Sequence, residues 1–186
     1  MIYLSKGMVK KGSTEHLLQI ARCGQEYRLS GEEAALWLRG RFAFSNPESE
    51  AEKRALLHLK RMGLAETEED TAAGKYRLLT QCVCCPSVCA RPEMLLGRAE
   101  KETLRWLRDA GLRLTVAELV FLKERGIRPE PGYLYAENRQ KLVETIYTAD
   151  TIGDNLLENL MEGAESRNEV VGLIMGLLKK KRILIL

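Results

Sequence analysis

The sequence predicts an α+β protein made of two similar units, each of which combines helices with a small antiparallel sheet. Three observations predict this class: segments with helical spacing of apolar residues, short β-type runs bounded by glycine and charged residues, and one order of helix-start motifs that occurs twice. The chain has 186 residues, enough for two small domains. We place the units at residues 1–81 and 98–186, joined by a cysteine-rich linker over residues 82–97 and a linker helix that begins at Arg98.

The composition is that of an ordinary globular protein, with 45% hydrophobic and 30% charged residues. The chain has 29 Lys and Arg and 26 Asp and Glu, and the net charge of +3 permits a nucleic-acid partner without requiring one. No apolar run is long enough to span a membrane, and no apolar segment follows the lysines of the first twelve residues. We therefore expect no membrane partner, no secretory signal and a cytoplasmic location.

The first unit opens with β-type segments. Residues 1–4 and 16–22 predict strands, and Cys23-Gly24 predicts the turn of a hairpin that follows the second one. Further along, residues 42–44 have room for a short strand, but the chain around them is too short for a full helix. The first unit is thus expected to lead with a β-hairpin.

Four hydroxyl residues are each followed three positions later by Glu, which is the spacing of a capping box. In this motif the hydroxyl oxygen accepts the amide of the third helical residue, and the Glu side chain reaches back to the amide of the cap. The pairs are Ser30–Glu33, Ser49–Glu52, Thr115–Glu118 and Ser166–Glu169. The first pair recurs 85 residues later and the second recurs 117 residues later. This order predicts a tandem duplication with an insertion in the second copy.

Further segments complete the two units. Helical spacing predicts the linker helix over residues 98–110 and two helices in the insertion, over residues 136–147 and 155–161. In the first unit a polar stretch separates two short β-type runs, which predicts a hairpin whose return strand is residues 75–80. The chain ends in an apolar strand over residues 183–186, which we expect to pair with another sheet edge.

The end of the first unit carries a longer pattern. It contains Leu56-x-x-Leu59-x-x-x-Gly63-Leu64-x-Glu66, then a polar stretch, then Tyr76-Arg77-Leu78-Leu79-Thr80. This pattern resembles the recognition helix and wing of winged-helix regulators of the MarR and PadR kinds. The resemblance covers residues 28–80 and, less completely, residues 112–186. It implies a winged helix with a helix-turn-helix, incomplete in the first copy, and it implies DNA binding and transcription regulation, although winged helices also serve as protein-binding modules.

The helix that begins after Ser49 is the candidate DNA reader. If Leu56, Leu59 and Met62 face the core, a cationic face points outward. Such cations neutralise phosphates and reach guanine edges in the major groove. The candidate nucleic-acid-binding residues are Lys53, Arg54, His58, Lys60 and Arg61 on this helix, with Lys75 and Arg77 on the return strand of the wing.

Two functions fit these features. The first is a DNA-binding protein of the transcription-regulator type that binds double-stranded DNA through the helix over residues 49–62. The alternative is a winged-helix protein- or peptide-interaction module without DNA binding. The incomplete helix-turn-helix, the modest net charge and the front hairpin, whose edge can pair with a partner strand, favour the alternative. An acidic cluster in the wing, which would repel a phosphate backbone, also favours it: Glu66, Glu68, Glu69 and Asp70.

The linker holds four of the five cysteines. Cys82 and Cys85 have C-x-x-C spacing, and Cys89 would add a third thiolate to a zinc site. No second C-x-x-C pair is present, and the two histidines lack metal-type spacing. The alternatives are therefore a reduced, cysteine-rich turn and a redox-sensing thiol, and apart from this zinc candidate we expect no cofactor.

The sequence does not predict an enzyme. It contains no P-loop, no dinucleotide-binding glycine fingerprint and no H-E-x-x-H motif. Two histidines leave little for acid–base chemistry, and the Glu residues at the helix starts are explained as caps. We therefore assign no catalytic residue.

The last predicted helix is apolar nearly all round from Val170 to Leu178. A helix of this kind is buried or paired, so we expect either packing within the chain or a homodimer interface. A basic run over residues 179–182 follows it. Cations there oppose the helix macrodipole, and the alternative is a contact with phosphate.

Overall fold

The computed structural model describes residues 1–14, 17–87, 93–110, 114–128, 139–148 and 153–186. Within these residues the chain is mixed α+β, with eight α-helices and small antiparallel sheets, which confirms the predicted class. The chain divides into two compact units. The first is Met1–Cys82 with Leu184–Leu186, and the second is Val83–Ile183. Among the described helices, none combines the length and the apolar character that crossing a membrane requires.

The first unit contains two antiparallel sheets and three helices within its described residues. Its elements are β1 (Ile2–Ser5), β2 (Met8–Val9), β3 (Leu18–Arg22), β4 (Gln25–Leu29), α1 (Gly31–Arg39), α2 (Glu50–Arg61), β5 (Ala65–Glu68) and α3 (Ala72–Thr80). β1 pairs with β5, and the second sheet has the order β2-β3-β4. The two predicted strands at the start of the chain and the turn at Cys23-Gly24 are confirmed, while His16 lies outside the described residues.

Aromatic side chains fill the core of the first unit. Tyr3 and Trp37 are fully buried, and apolar side chains from β3, α1 and α2 surround them. The Tyr3 hydroxyl donates to the Leu36 carbonyl at 2.9 Å, and the Trp37 indole donates to the Lys6 carbonyl at 3.1 Å. Because both polar atoms are paired, the rings are buried without a lost hydrogen bond. This core fixes α1 and α2 relative to the strands.

The return strand predicted over residues 75–80 is wrong, because this segment is the helix α3. The Thr71 side chain accepts the Gly74 amide at 2.9 Å and caps the first turn. Tyr76 and Leu79 are both buried, and a spacing of three residues puts two side chains on one face of a helix but not of a strand. β5 therefore pairs with β1 and not with this segment.

The strand predicted over residues 42–44 is also wrong. The structure has only a single antiparallel bridge nearby, between Tyr3 and Ser45. Two backbone hydrogen bonds form it, from the Tyr3 amide to the Ser45 carbonyl at 2.9 Å and from the Ser45 amide to the Tyr3 carbonyl at 3.2 Å. The run was too short and too close to a turn to extend the pairing.

The second unit is mainly helical in its described residues. Its elements are β6 (Cys84–Pro86), a 3₁₀ turn (Glu93–Leu95), α4 (Arg98–Asp109), α5 (Val116–Glu124), α6 (Arg139–Ile146), α7 (Asp154–Glu162) and α8 (Arg167–Lys179). The last strand, β7 (Ile183–Ile185), pairs with β6. The predicted linker helix and the predicted helix over residues 155–161 are confirmed, and residues 136–138 of the other predicted insertion helix lie outside the described residues.

The apolar helix that predicted an interface is α8. It packs against α4 and α5 within the second unit, and Val170, Ile174 and Leu177 on it are buried there. Internal packing therefore accounts for most of the apolar surface of this helix. The homodimer stays a prediction that needs a different surface.

The four predicted capping boxes have three different outcomes. The Thr115–Glu118 box is complete: the Thr115 hydroxyl accepts the Glu118 amide at 3.1 Å, and the Glu118 carboxylate accepts the Thr115 amide at 2.6 Å. Ser49 caps α2 by accepting the Glu52 amide, but the Glu52 carboxylate accepts the Glu48 amide instead. In the other two pairs the Ser side chain makes no cap hydrogen bond.

In the two pairs whose Ser makes no cap hydrogen bond, the Glu side chain has a basic partner on a neighbouring helix: Glu33 lies 2.5 Å from His58 and Glu169 lies 2.8 Å from Lys123. In the second of these pairs Glu124 also takes the place of Glu169, because its carboxylate accepts the Ser166 amide at 2.6 Å. The motif thus located four helix starts correctly, while tertiary contacts decided the partners.

Candidate functional site

The apolar face predicted for α2 is confirmed. Leu56 and Leu59 are buried and Met62 is half-buried, while Leu57 is 51% exposed on the opposite side. The structure therefore presents the predicted cationic residues of α2 at the surface. All of them lie in the first unit.

Most of these basic surface residues face an acid or a hydroxyl. The Lys53 ammonium lies 2.6 Å from Glu50, and the His58 Nδ1 atom lies 2.5 Å from Glu33. The Lys60 ammonium donates to the Thr67 hydroxyl at 2.8 Å. Such exposed ion pairs contribute little stability, but their carboxylates would stay next to any phosphate that approached.

Arg54 and Arg61 differ from the other basic residues of α2. Both are exposed, and neither has an acidic partner among the described residues. The Arg54 Nε atom donates to the backbone carbonyl of Glu50 at 3.4 Å. These two arginines are the part of the predicted DNA-binding surface that the geometry leaves open to an anion.

Lys75 and Arg77 do not extend this surface as a wing strand would. They lie on α3, where the Lys75 ammonium is 2.9 Å from Asp70 and the Arg77 Nε atom is 3.6 Å from Glu68. Two members of the acidic cluster thus pair with the two basic residues that were predicted to contact DNA from the wing. A continuous basic surface from α2 through residues 75–77 does not result.

Glu66, the first member of that acidic cluster, belongs to a partly buried ion pair. The Lys6 ammonium donates to the Glu66 carboxylate at 3.0 Å and to the Gln81 carbonyl at 3.3 Å, and only 5% of the Lys6 side chain is exposed. A buried charge of this kind needs such partners to offset its desolvation. This contact ties the start of the chain to the end of α3, and sequence reasoning missed it because the two partners are 60 residues apart.

The cysteines of the predicted zinc set are only partly described. Cys82 is buried and Cys85 is half-buried, whereas Cys89 lies outside the described residues. Burial raises the pKa of the Cys82 thiol to about 12 and also raises the pKa of Cys85. A raised pKa favours the neutral thiol over the thiolate that binds a metal. Among the described residues no cluster of three metal ligands forms, so the zinc site stays a prediction.

The outer edge of β4 is an accessible backbone feature of the first unit. In the sheet order β2-β3-β4, this five-residue strand pairs with β3 on one side and has no strand on its other side within the described residues. Three of its five residues are exposed: Gln25, Glu26 and Arg28. An edge strand with free N–H and C=O groups can pair with another chain.

The turn before β4 determines which backbone groups point outward. Cys23 and Gly24 have φ angles of 50° and 77°, as a two-residue type I′ turn requires. The flanking pair, Arg22 opposite Gln25, is therefore a hydrogen-bonded pair, and such pairs alternate along the ladder. It follows that the N–H and C=O groups of Glu26 and Arg28 point away from β3.

Contacts on the other side of β3 support this assignment. Gln19 lies opposite Arg28, and its backbone N–H and C=O groups both point away from β4. Its carbonyl accepts the Lys10 amide at 2.9 Å, and its amide donates to the Ser13 hydroxyl at 3.0 Å. The backbone groups of Arg28 are therefore left for a partner at the free edge.

The side chains of this edge carry alternating charge. Glu26 and Arg28 lie on the same face of the sheet, because side chains two residues apart in a strand point the same way. Lys10 forms an ion pair with Glu26 on that face. Tyr27 lies on the opposite face, where it packs against the core. The edge thus offers the outward N–H and C=O groups of two residues, Glu26 and Arg28, together with their acidic and basic side chains.

Comparison with known proteins found no matching family model, no matching curated protein and no matching solved structure. The candidate site therefore depends on the chain's own geometry. Sequence reasoning identified the front hairpin but not the outward residues Glu26 and Arg28. The signal was available in the two-residue turn, which fixes the alternation of hydrogen-bonded pairs along the strand that follows.

Proposed function

We propose that the chain is a protein- or peptide-interaction module that binds an extended partner segment at the free edge of β4. The observation that carries the proposal is the edge itself, a regular strand whose outward backbone groups belong to Glu26 and Arg28. A strand added there would form main-chain hydrogen bonds with both residues. Strand addition at an open sheet edge is a common way in which domains bind peptides.

The charges on this edge define the partner. In an antiparallel pair, the partner residue opposite Arg28 precedes the one opposite Glu26 along the partner's chain. Opposite charges across a strand pair stabilise it and like charges destabilise it. The preferred partner strand therefore has an acidic residue, then any residue, then a basic residue.

The chain's own β4 has this order of charges, because Glu26 is followed by Tyr27 and Arg28. A second copy can therefore pair antiparallel about Tyr27, with Glu26 of each copy opposite Arg28 of the other. If the two strands slide to a neighbouring symmetric register, either the two Glu26 residues or the two Arg28 residues lie opposite each other. Self-association through β4 is thus one form of the proposed interaction, and it gives the predicted homodimer a surface.

A labelled peptide tests the proposal directly. A fluorescent peptide that copies residues 24–30 should bind the full-length protein saturably in an anisotropy titration. The matched control is the same peptide with its Glu and Arg exchanged, which places like charges opposite Glu26 and Arg28. Equal binding of both peptides, or binding of neither, contradicts the proposal.

DNA binding is the second candidate, and exposed Arg54 and Arg61 favour it. Each phosphate that a protein neutralises adds about 0.9 to the slope of log affinity against log salt. A titration against random duplex DNA at two salt concentrations therefore measures it. Binding with a steep salt dependence that is lost in the double variant Lys60→Glu, Arg61→Glu would support DNA binding over the interaction module.

A further inference from the structure

A cavity of the second unit lies among α4, α5 and α8, and neither candidate function uses it. Its volume is about 350 Å³, which lies within the range of small-molecule sites. Its floor is apolar, with Leu119, Leu122 and Val170 buried at its base and Leu173 half-buried beside them. A cavity of this size equals the volume of about a dozen water molecules in the liquid, so it suits a ligand of about a dozen heavy atoms.

Two side chains that carry a hydrogen-bond donor line this cavity. Thr103 is 9% exposed and Trp106 is 4% exposed. Within the described part of the chain, neither the Thr103 hydroxyl nor the Trp106 indole N–H makes a hydrogen bond. Neither polar atom is fully shielded from solvent, so each is available to a ligand. Both groups can donate, so they fit a ligand that accepts hydrogen bonds.

The rim of the cavity carries an excess of cations. Arg98 pairs with Glu102 at 3.2 Å, and both side chains line the rim. Lys123 also lines it and pairs with Glu169, at 2.8 Å. Arg128 completes the set, and it has no acidic partner among the described residues.

The donors and charges of this cavity select one ligand class. Arg128 offers a planar set of donors that matches a carboxylate. The apolar floor suits a hydrocarbon body, and the exposed guanidinium of Arg128 attracts an anionic group more than a neutral or cationic one. We propose that the second unit binds a small amphipathic monocarboxylate, with its apolar body on the floor and its carboxylate within reach of Arg128. This inference concerns the second unit alone and does not depend on the proposed function.

Decanoate is a suitable probe, because it has a single carboxylate on a flexible apolar chain. Titration of the full-length protein by calorimetry should give one site per chain, with a Kd on the order of tens of micromolar for a ligand of this size. Decanol and decyltrimethylammonium, which keep the chain but lack the negative charge, should bind at least about tenfold more weakly, as one lost charge-assisted hydrogen bond predicts. Binding should also change the fluorescence of Trp106, which lines the cavity.

Two matched variants separate this site from a nonspecific effect. Arg128→Ala should weaken decanoate binding about tenfold and leave decanol binding unchanged, by the same argument. Arg125→Ala is the control, since Arg125 is an exposed arginine that packs on the Phe121 ring at 5.1 Å and does not line the cavity. Leu173→Trp, which fills the cavity from its half-buried edge, should abolish binding of both ligands.

Three outcomes would overturn the proposal. The first is the absence of saturable decanoate binding. The second is equal affinity for decanoate and decyltrimethylammonium, which would mean that the rim charge plays no part. The third is an equal loss of affinity in the Arg125→Ala and Arg128→Ala variants, which would mean that any surface arginine acts in the same way.

Discussion

Reversing one charge on the edge of β4 should prevent self-association, and combining two reversals should restore it. In the symmetric antiparallel pair, Glu26 of each copy lies opposite Arg28 of the other. Glu26→Lys makes both cross-strand pairs positive, and Arg28→Glu makes both negative. In a mixture of the two variants every pair again joins opposite charges. The introduced lysine of one variant meets the introduced glutamate of the other, and the retained Arg28 meets the retained Glu26.

The size of the effect follows from the two cross-strand pairs. An opposite-charge pair stabilises a strand pair by roughly 0.2–1 kcal/mol, and a like-charge pair destabilises it by a similar amount. A single reversal changes the sign of two pairs. The free energy of dimerisation therefore becomes less favourable by about 2 kcal/mol, which is about 30-fold in Kd. Both positions are exposed, so each variant should fold as the parent protein does.

Sedimentation velocity over a range of micromolar concentrations measures this effect. The parent protein should form dimers, each single variant should stay monomeric, and the equimolar mixture should form dimers again. The reasoning fails if the single variants associate like the parent, or if their mixture stays monomeric while the parent dimerises. High salt should weaken the difference between the variants, because exposed charges are screened.

Three further substitutions or reactions test the description of the fold. Thr115→Ala removes a complete capping box and should lower the free energy of unfolding by about 1 kcal/mol in urea denaturation; an unchanged midpoint would contradict the capping geometry. Gly40→Ala places a Cβ atom in steric overlap with the buried Tyr3 ring, so it should cost about 1–3 kcal/mol by overpacking, and a neutral effect would mean that the ring moves freely. Iodoacetamide at pH 8 should alkylate exposed Cys23 well before Cys82, because burial and a pKa of about 12 keep the Cys82 thiol neutral and covered; mass spectrometry that finds Cys82 modified first would refute this.

Helix positions were predictable because their signals are local. The capping spacing at Ser49 and Thr115, together with the apolar residues that follow at helical intervals, placed α2 and α5 correctly. The linker helix was equally clear, with Leu104 and Leu107 buried on one face as their spacing predicts. These signals depend on neighbours within one or two turns of helix, so they remain valid whatever the rest of the chain does.

The segment that became α3 shows where local patterns fail. Tyr76, Leu78 and Thr80 alternate as in a strand, yet Leu79 between them is also buried. Nine residues contain too few repeats to separate a period of 2 from a period of 3.6. The cap at Thr71 decided the outcome, and it has no Glu three residues later to mark it as a capping box.

The candidate sites depended on information that the sequence distributes over long distances. Basic residues on α2 were correctly predicted to be exposed, but their acidic neighbours, such as Glu33 beside His58, come from another helix. The cavity of the second unit is likewise lined from three helices. Thr103 and Trp106 are inconspicuous in the sequence, and only their place in the lining of the cavity distinguishes them.

Residue-resolved hydrogen exchange at the edge of β4 tests the central claim most directly. The Tyr27 and Leu29 amides face β3, so they should be protected at every protein concentration. The Glu26 and Arg28 amides face outward, so they should exchange fast in dilute protein and become protected as the concentration rises or as the peptide that copies residues 24–30 saturates the site. If these two amides keep exchanging fast under conditions where the protein is associated or bound to the peptide, the partner strand is not at this edge and the proposed function is wrong.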